Sequence, residues 1–238
     1  MSKIPELAEL MKAGAHFGHQ KSKWHPKMEP YIFTVKNGIH IINLEETQKQ
    51  LEKALAFVKQ TVTAGGTVLF VGTKDQAKAP IREAAVSCGM PYIVSRWLGG
   101  TLTNASTILN LVKKYRKLKS DQTTGELEKY TKREQLSIVR EIAKLDEMIG
   151  GIESLEKIPD IIFVWDIRKE KTAIMEAIKK NVPVVAVVDT NVNPELVAYP
   201  IPCNDDASNA IKLISNVLAE AINEAKAEAK TLKPENKK

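Results

Sequence analysis

Four short, nearly unbroken apolar runs punctuate the chain: IHIINL (39–44), TVLFVGT (67–73), DIIFVWD (160–166) and VPVVAVVDT (182–190). A strand with one wet face alternates apolar and polar residues. These runs do not alternate, so they predict strands buried on both faces, as in a parallel sheet covered by helices. MPYIVSRW (90–97) is a fifth candidate. Between the runs the period changes. Leu51, Leu55, Val58 and Val62 step by four, three and four, and Ala173, Ile174, Ala177 and Ile178 make a similar stripe, the mark of amphipathic helices. Alternating strand and helix predicts a doubly wound α/β sheet of about five strands. Just before the first run, Asn37-Gly38 sits between two extended stretches and predicts a hairpin turn.

One region breaks the alternation. From about residue 104 to 155 there is no strand-like run, and two helical patterns take its place: Ile108, Leu111, Val112, Tyr115 and Leu118, then Ile138, Ile142, Leu145 and Ile149. Their narrow stripes predict an inserted antiparallel pair with a coiled-coil seam. Thr131 and Glu134 form a capping box that starts the second helix. The expected organisation is an N-terminal segment with its hairpin (1–38), an α/β domain (39–103 and 156–228), an inserted helical hairpin (104–155) and a charged tail (229–238), disordered after Leu232.

Composition narrows the function classes. The chain of 238 residues is 43% hydrophobic, enough for a substantial core, and its formal net charge of +6 leans towards a polyanionic partner without requiring one. Cys88 and Cys203 have no CxxC spacing, which argues for a reducing compartment and against a disulfide scaffold or zinc ribbon. No run approaches a membrane span and MSKIPELAEL lacks a signal-peptide pattern, so the expected location is cytoplasmic, with no membrane partner.

The usual chemistry of a doubly wound sheet is nucleotide-dependent, yet neither GxGxxG nor GxxxxGK[ST] occurs. FVGTKDQAK offers Gly72 after a strand, with Thr73 and Gln76 as caps of the next helix and free amides that suit an anion; any βα turn looks much the same. Pro80 predicts a late start or a bend in that helix. Asp166, Asp189, Asp205 and Asp206 stand at strand ends, where they read either as Mg²⁺ ligands or bases, or simply as turn caps. No bound cofactor is expected.

The densest cluster is HFGHQKSKWHPKM (16–28), with three of the four histidines. His16 and His19 are three apart and suit one helix face, the candidates should a metal bind, but Gly18 weakens a helix there and no cysteine joins them. Read for RNA, Lys21, Lys23 and Lys27 are phosphate partners, and Trp24 and His25 can stack. A buried Trp24 ringed by solvated lysines is the plainer alternative. Arg96 and Trp97 precede a Gly99-Gly100 turn, and KKYRKLK contributes Lys113, Lys114, Arg116, Lys117 and Lys119. Three basic-aromatic clusters favour RNA over a solvated surface.

These segments, together with LFVGTKDQAK, PDIIFVWDIRKE and VPVVAVVDTNVNPELVAYPIPCNDDA, resemble in fixed order, over about residues 4–225, the bacterial-type small ribosomal subunit protein family that carries the number two. The resemblance implies a flavodoxin-like domain with a protruding coiled-coil hairpin, bound late to the small subunit on its solvent side between head and body. It implies small-subunit rRNA as partner, along with neighbouring ribosomal proteins, among them the large OB-fold mRNA-binding protein that it helps to anchor. It also implies a monomer within the ribosome and no enzymatic activity. The family's Arg-Trp-Leu-Gly-Gly element falls on Arg96 to Gly100 and its His-Phe-Gly-His element on His16 to His19, while His25 stands where Asn is usual and Pro80 is atypical. The alternative reading is a nucleotide- or flavin-binding enzyme of the doubly wound class.

Overall fold

The computed structural model describes residues 4–232. Its parallel sheet is built from β4 (Val68–Val71), β5 (Tyr92–Ile93), β6 (Ile161–Trp165), β7 (Val184–Val188) and β8 (Tyr199–Pro202), in the order β5-β4-β6-β7-β8. Counted along the chain that order is 2-1-3-4-5, the flavodoxin-like arrangement. Alternate residues of each strand supply two separate cores. Phe70, Phe163, Trp165, Val185, Val187 and Ile201 face α2 (Leu44–Thr63), α3 (Asp75–Ser87) and α7 (Ser208–Leu232), and Leu10 of the short α1 (Leu7–Lys12) joins the same cluster. Leu69, Val71, Ile162, Val164, Ala186 and Val188 face the opposite layer, which includes α6 (Lys171–Lys180). Both faces are dry, which is why β4, β6 and β7 are apolar at every position.

A second, three-stranded antiparallel sheet comprises β1 (Phe17–Gln20), β2 (Ile32–Lys36) and β3 (Ile39–Ile42), in the order β1-β3-β2. Here the expectation for IHIINL is corrected. The run is not a strand of the parallel sheet. Asn37 and Gly38 both have positive φ, +52° and +75°, the type I′ turn that folds β3 back on β2. Asn43 then caps α2 by accepting from the Glu45 amide, which ends the strand. The fifth parallel strand is instead Tyr199-Pro200-Ile201-Pro202. Two prolines hide it from propensity, but at a sheet edge only one side of the backbone needs hydrogen bonds.

The helices α4 (Ala105–Thr123) and α5 (Lys132–Ile149) pack on each other through Ile108, Val112, Tyr115, Ile142, Leu145 and Ile149. Thr131 and Glu134 form the predicted capping box at the start of α5. Helix α3 starts at Asp75 and carries Pro80 inside it, so the late start does not occur. Helix α7 runs to Leu232, through the first positions of the predicted tail; the disorder expected beyond Leu232 lies outside the described residues, as do residues 1–3.

Candidate nucleic-acid interface

In an open α/β sheet the ligand crevice lies at the carboxyl ends of the strands where the order reverses, here between β4 and β6. That crevice is filled from within. The Thr73 amide and hydroxyl both donate to Glu170 Oε1, at 2.9 and 2.5 Å, so a carboxylate occupies the place where a phosphate would meet the loop. Thr73 therefore does not cap α3, whose N-cap is Lys74, without a side-chain bond. Lys74 Nζ lies 2.7 Å from Asp205, 2.6 Å from Asp206 and 3.5 Å from Asp166. Asp166 also accepts from the Arg168 and Lys169 amides, and Asp189 from those of Thr190 and Asp205, which is the turn-capping reading of these residues.

Burial, with the charges of Asp189 and Asp166, pushes the Asp205 carboxyl up to about 6, and burial raises Glu170. Burial alone would lower the Lys74 ammonium; hydrogen bonds to Asp205 and Asp206 overcome it, and the net direction is upward. Asp166, Asp189, Asp205 and Asp206 at the strand ends, with Glu170 at the start of α6, outnumber Lys74 and Lys169 among them and disfavour a nucleotide's phosphates. A groove of about 1010 Å³ between α3, β5 and the end of α5 has none of these acids in its lining.

The opening cluster is a fastening. Gly18 passes so close to Thr190 that a Cβ there would sit 2.6 Å from Thr190 Cγ2 and 3.1 Å from the His40 carbonyl oxygen. The His19 amide donates to Thr190 Oγ1 (2.8 Å) and the His25 amide to the Thr190 carbonyl (2.8 Å). The His19 imidazole lies 3.0 Å from Asp189, and that contact outweighs burial and raises its pKa. His16 and His19 do not share a helix face: His16 precedes β1 and His19 lies within it, in extended chain. Among the described residues, the group able to offer three ligand atoms to a cation is His19 with Asp205 and Asp206, within 4.8 Å, and Lys74 already binds both carboxylates.

What the fastening leaves outside is basic. Lys21 and Lys23 are exposed and their side chains make no hydrogen bond or ion pair among the described residues, whereas the Lys27 side chain is held by Glu195 at 2.8 Å. Trp24 is half-buried with its ring 5.2 Å from that of His40, and His25 Nδ1 accepts from the Lys27 amide, leaving Nε2 without a hydrogen bond among the described residues.

The second cluster divides in two. Arg96 is exposed, with no hydrogen bond or ion pair among the described residues, but Trp97 is only 8% exposed and its indole N–H donates to Glu176 (3.1 Å). Trp97 is thus packed into the core, with its indole turned towards α6. In the third cluster Lys114 pairs with Glu141 and Lys119 with Glu153, while Arg116 turns inward to the Glu153 and Leu155 carbonyls. Lys113 and Lys117, one helical turn apart, stay exposed and free of such contacts among the described residues. Sequence reasoning missed Glu176 and the role of Lys74, because their partners lie far away in the chain. It also missed the exposed Phe17, Phe33 and Val35 of the small sheet.

Comparison with known proteins supplies the family. The model of the family described as ribosomal protein S2 matches residues 10–225. The chain is similar to the small ribosomal subunit protein uS2 of Coprothermobacter proteolyticus, 50% identical over 223 residues, covering 94% of this chain and 83% of that protein. It is 49% identical to the uS2 proteins of Mycobacteroides abscessus (93% and 80% covered) and Dehalococcoides mccartyi (92% and 89%).

Proposed function

The chain belongs to the ribosomal protein S2 family, and from that premise we propose that it is a structural, non-enzymatic component of the small ribosomal subunit which holds rRNA through three basic patches. The patches are Lys21 and Lys23 with Trp24 and His25, then Arg96, then Lys113 and Lys117. The observation that carries this reading is that the cations named here are exposed and their side chains unpaired among the described residues, whereas Lys74 inside the fold is held by Asp205 and Asp206, and Lys114 and Lys119 on the helical pair by Glu141 and Glu153. Exposed Phe17, Phe33 and Val35 support a protein contact beside the RNA contact, consistent with anchoring a neighbouring ribosomal protein such as the large OB-fold mRNA-binding one. The protein acts as one copy within the cytoplasmic ribosome. No described helix is long and apolar enough to cross a membrane.

Binding to small-subunit rRNA, measured across a salt series, tests this. Phosphate contacts release counterions, so affinity should fall linearly in log–log form with a slope of about 0.7 to 0.9 per neutralised phosphate. Lys21→Ala/Lys23→Ala is expected to weaken binding and to make the slope shallower by about 1.5. An unchanged slope would remove this patch from the interface.

A further inference from the structure

We infer that Glu176 is a positioning residue for RNA contact: its buried carboxylate holds the Trp97–Thr103 loop in the conformation that presents Arg96 outward. The inference rests on the RNA-binding reading above. Glu176 lies in α6 beside Ala173, Ile174 and Ala177, a layer otherwise apolar. A carboxylate there is unfavourable unless its oxygens are saturated with donors. They are: Oε1 accepts from Trp97 Nε1 (3.1 Å) and the Gly100 amide (2.7 Å), and Oε2 from the Leu102 amide (2.9 Å), the Thr103 amide (3.0 Å) and the Thr103 hydroxyl (3.1 Å). All five donors belong to one loop, which closes around the carboxylate as such loops close around a bound anion. Burial pushes the Glu176 pKa up, but the amides of Thr103, Gly100 and Leu102 and the Trp97 indole bring it below its ordinary value.

Gly100 completes the loop with φ +94°, a conformation few other residues adopt. The motif that looked like an RNA-binding Arg-Trp pair thus divides the labour: Trp97 points inward as a donor, and this fixes the backbone from which Arg96 points out. An arginine on an ordered loop loses less conformational freedom on meeting a phosphate than one on a mobile loop.

The test compares Arg96→Ala, Glu176→Gln, Glu176→Asp and the double variant Arg96→Ala/Glu176→Gln. Affinity for small-subunit rRNA is measured across a salt series, on protein confirmed folded by circular dichroism and well below each melting temperature. Arg96→Ala should weaken binding about 5-fold and make the salt slope shallower by about 0.7 to 0.9, the contribution of one phosphate. Glu176→Gln should reproduce both changes, the double variant should be no worse than Arg96→Ala, and Glu176→Asp should recover part of the slope. Trp97→Phe, which removes one donor and keeps a ring, should move the slope the same way by less, and it serves in place of Glu176→Gln if that variant does not fold.

A Glu176→Gln variant with a lower melting temperature but an unchanged slope would overturn the inference and leave the RNA-binding reading standing, as would strict additivity in the double variant. An Arg96→Ala variant that binds like wild type overturns it too. Failure of the wild type itself to bind rRNA would bring down the underlying reading.

Discussion

Lys74→Met is expected to destabilise the fold by about 3 to 5 kcal/mol at neutral pH, because it removes one partner from a buried ionic cluster and leaves the other charges uncompensated. The Lys74 ammonium is within 3.5 Å of Asp166, Asp205 and Asp206, and Asp205 is almost fully buried. The loss should depend on pH with a definite sign. Asp205 has a folded-state pKa of about 6, against an ordinary value of 3.8. A carboxyl raised on folding binds more protons in the native state, so its contribution to stability declines as pH rises through that window. Without Lys74 the carboxyl rises further, and the decline becomes deeper and extends above pH 6. Urea unfolding of wild type and variant at pH 4 and pH 7.5 checks this: the deficit should be large at pH 7.5 and small at pH 4. An equal deficit at both values would show that Lys74 contributes packing and not charge.

Gly18→Ala is expected to cost about 1 to 3 kcal/mol by overpacking, and to do so locally. The added methyl would meet Thr190 Cγ2 at 2.6 Å, Thr190 Oγ1 at 2.9 Å and the His40 carbonyl at 3.1 Å. Thr190 has little room to yield, since its hydroxyl is engaged by Asp189 and the His19 amide. The amides of His19 and His25, which donate to Thr190, should therefore exchange with solvent faster while the amides of β6 and β7 keep their protection. Hydrogen exchange read residue by residue distinguishes the two groups. Unaltered exchange at His19 and His25 would mean that the N-terminal segment is fastened by something other than Thr190.

Features that depend on neighbours in the chain were legible in the sequence. VLFV, IIFVW and VVAVV lie between two helical layers and have no polar face to display, so they read directly as central parallel strands. The Asn37-Gly38 turn and the Thr131–Glu134 capping box are local chemistry and stand as expected. The misreadings share a physical cause. IHII is apolar enough for a central strand, but the turn before it pairs it with β2, and YPIP takes the open edge despite two prolines. Trp97 beside Arg96 looks like an RNA-binding pair until its partner, Glu176, is found 79 residues away. The aspartates at the strand ends were visible singly. Their convergence on Lys74 depends on strand order, which short-range pattern does not encode. Which cations are paired was hidden for the same reason: Arg116, Lys114 and Lys119 meet carbonyls and carboxylates of the helical pair and the turn that follows it, and Lys27 meets Glu195.

The central claim, that the protein is held on the small ribosomal subunit by its unpaired cations, is tested most directly by sedimentation. Subunits from cells expressing tagged wild type, or a Lys21→Ala/Lys23→Ala/Arg96→Ala variant that melts like wild type, are washed at moderate salt and separated on a gradient. Wild type should travel with the small-subunit peak at one copy per particle and be released as salt rises, with the variant lost at lower salt. Wild type left at the top of the gradient at every salt concentration, or a variant retained as firmly as wild type, would contradict it.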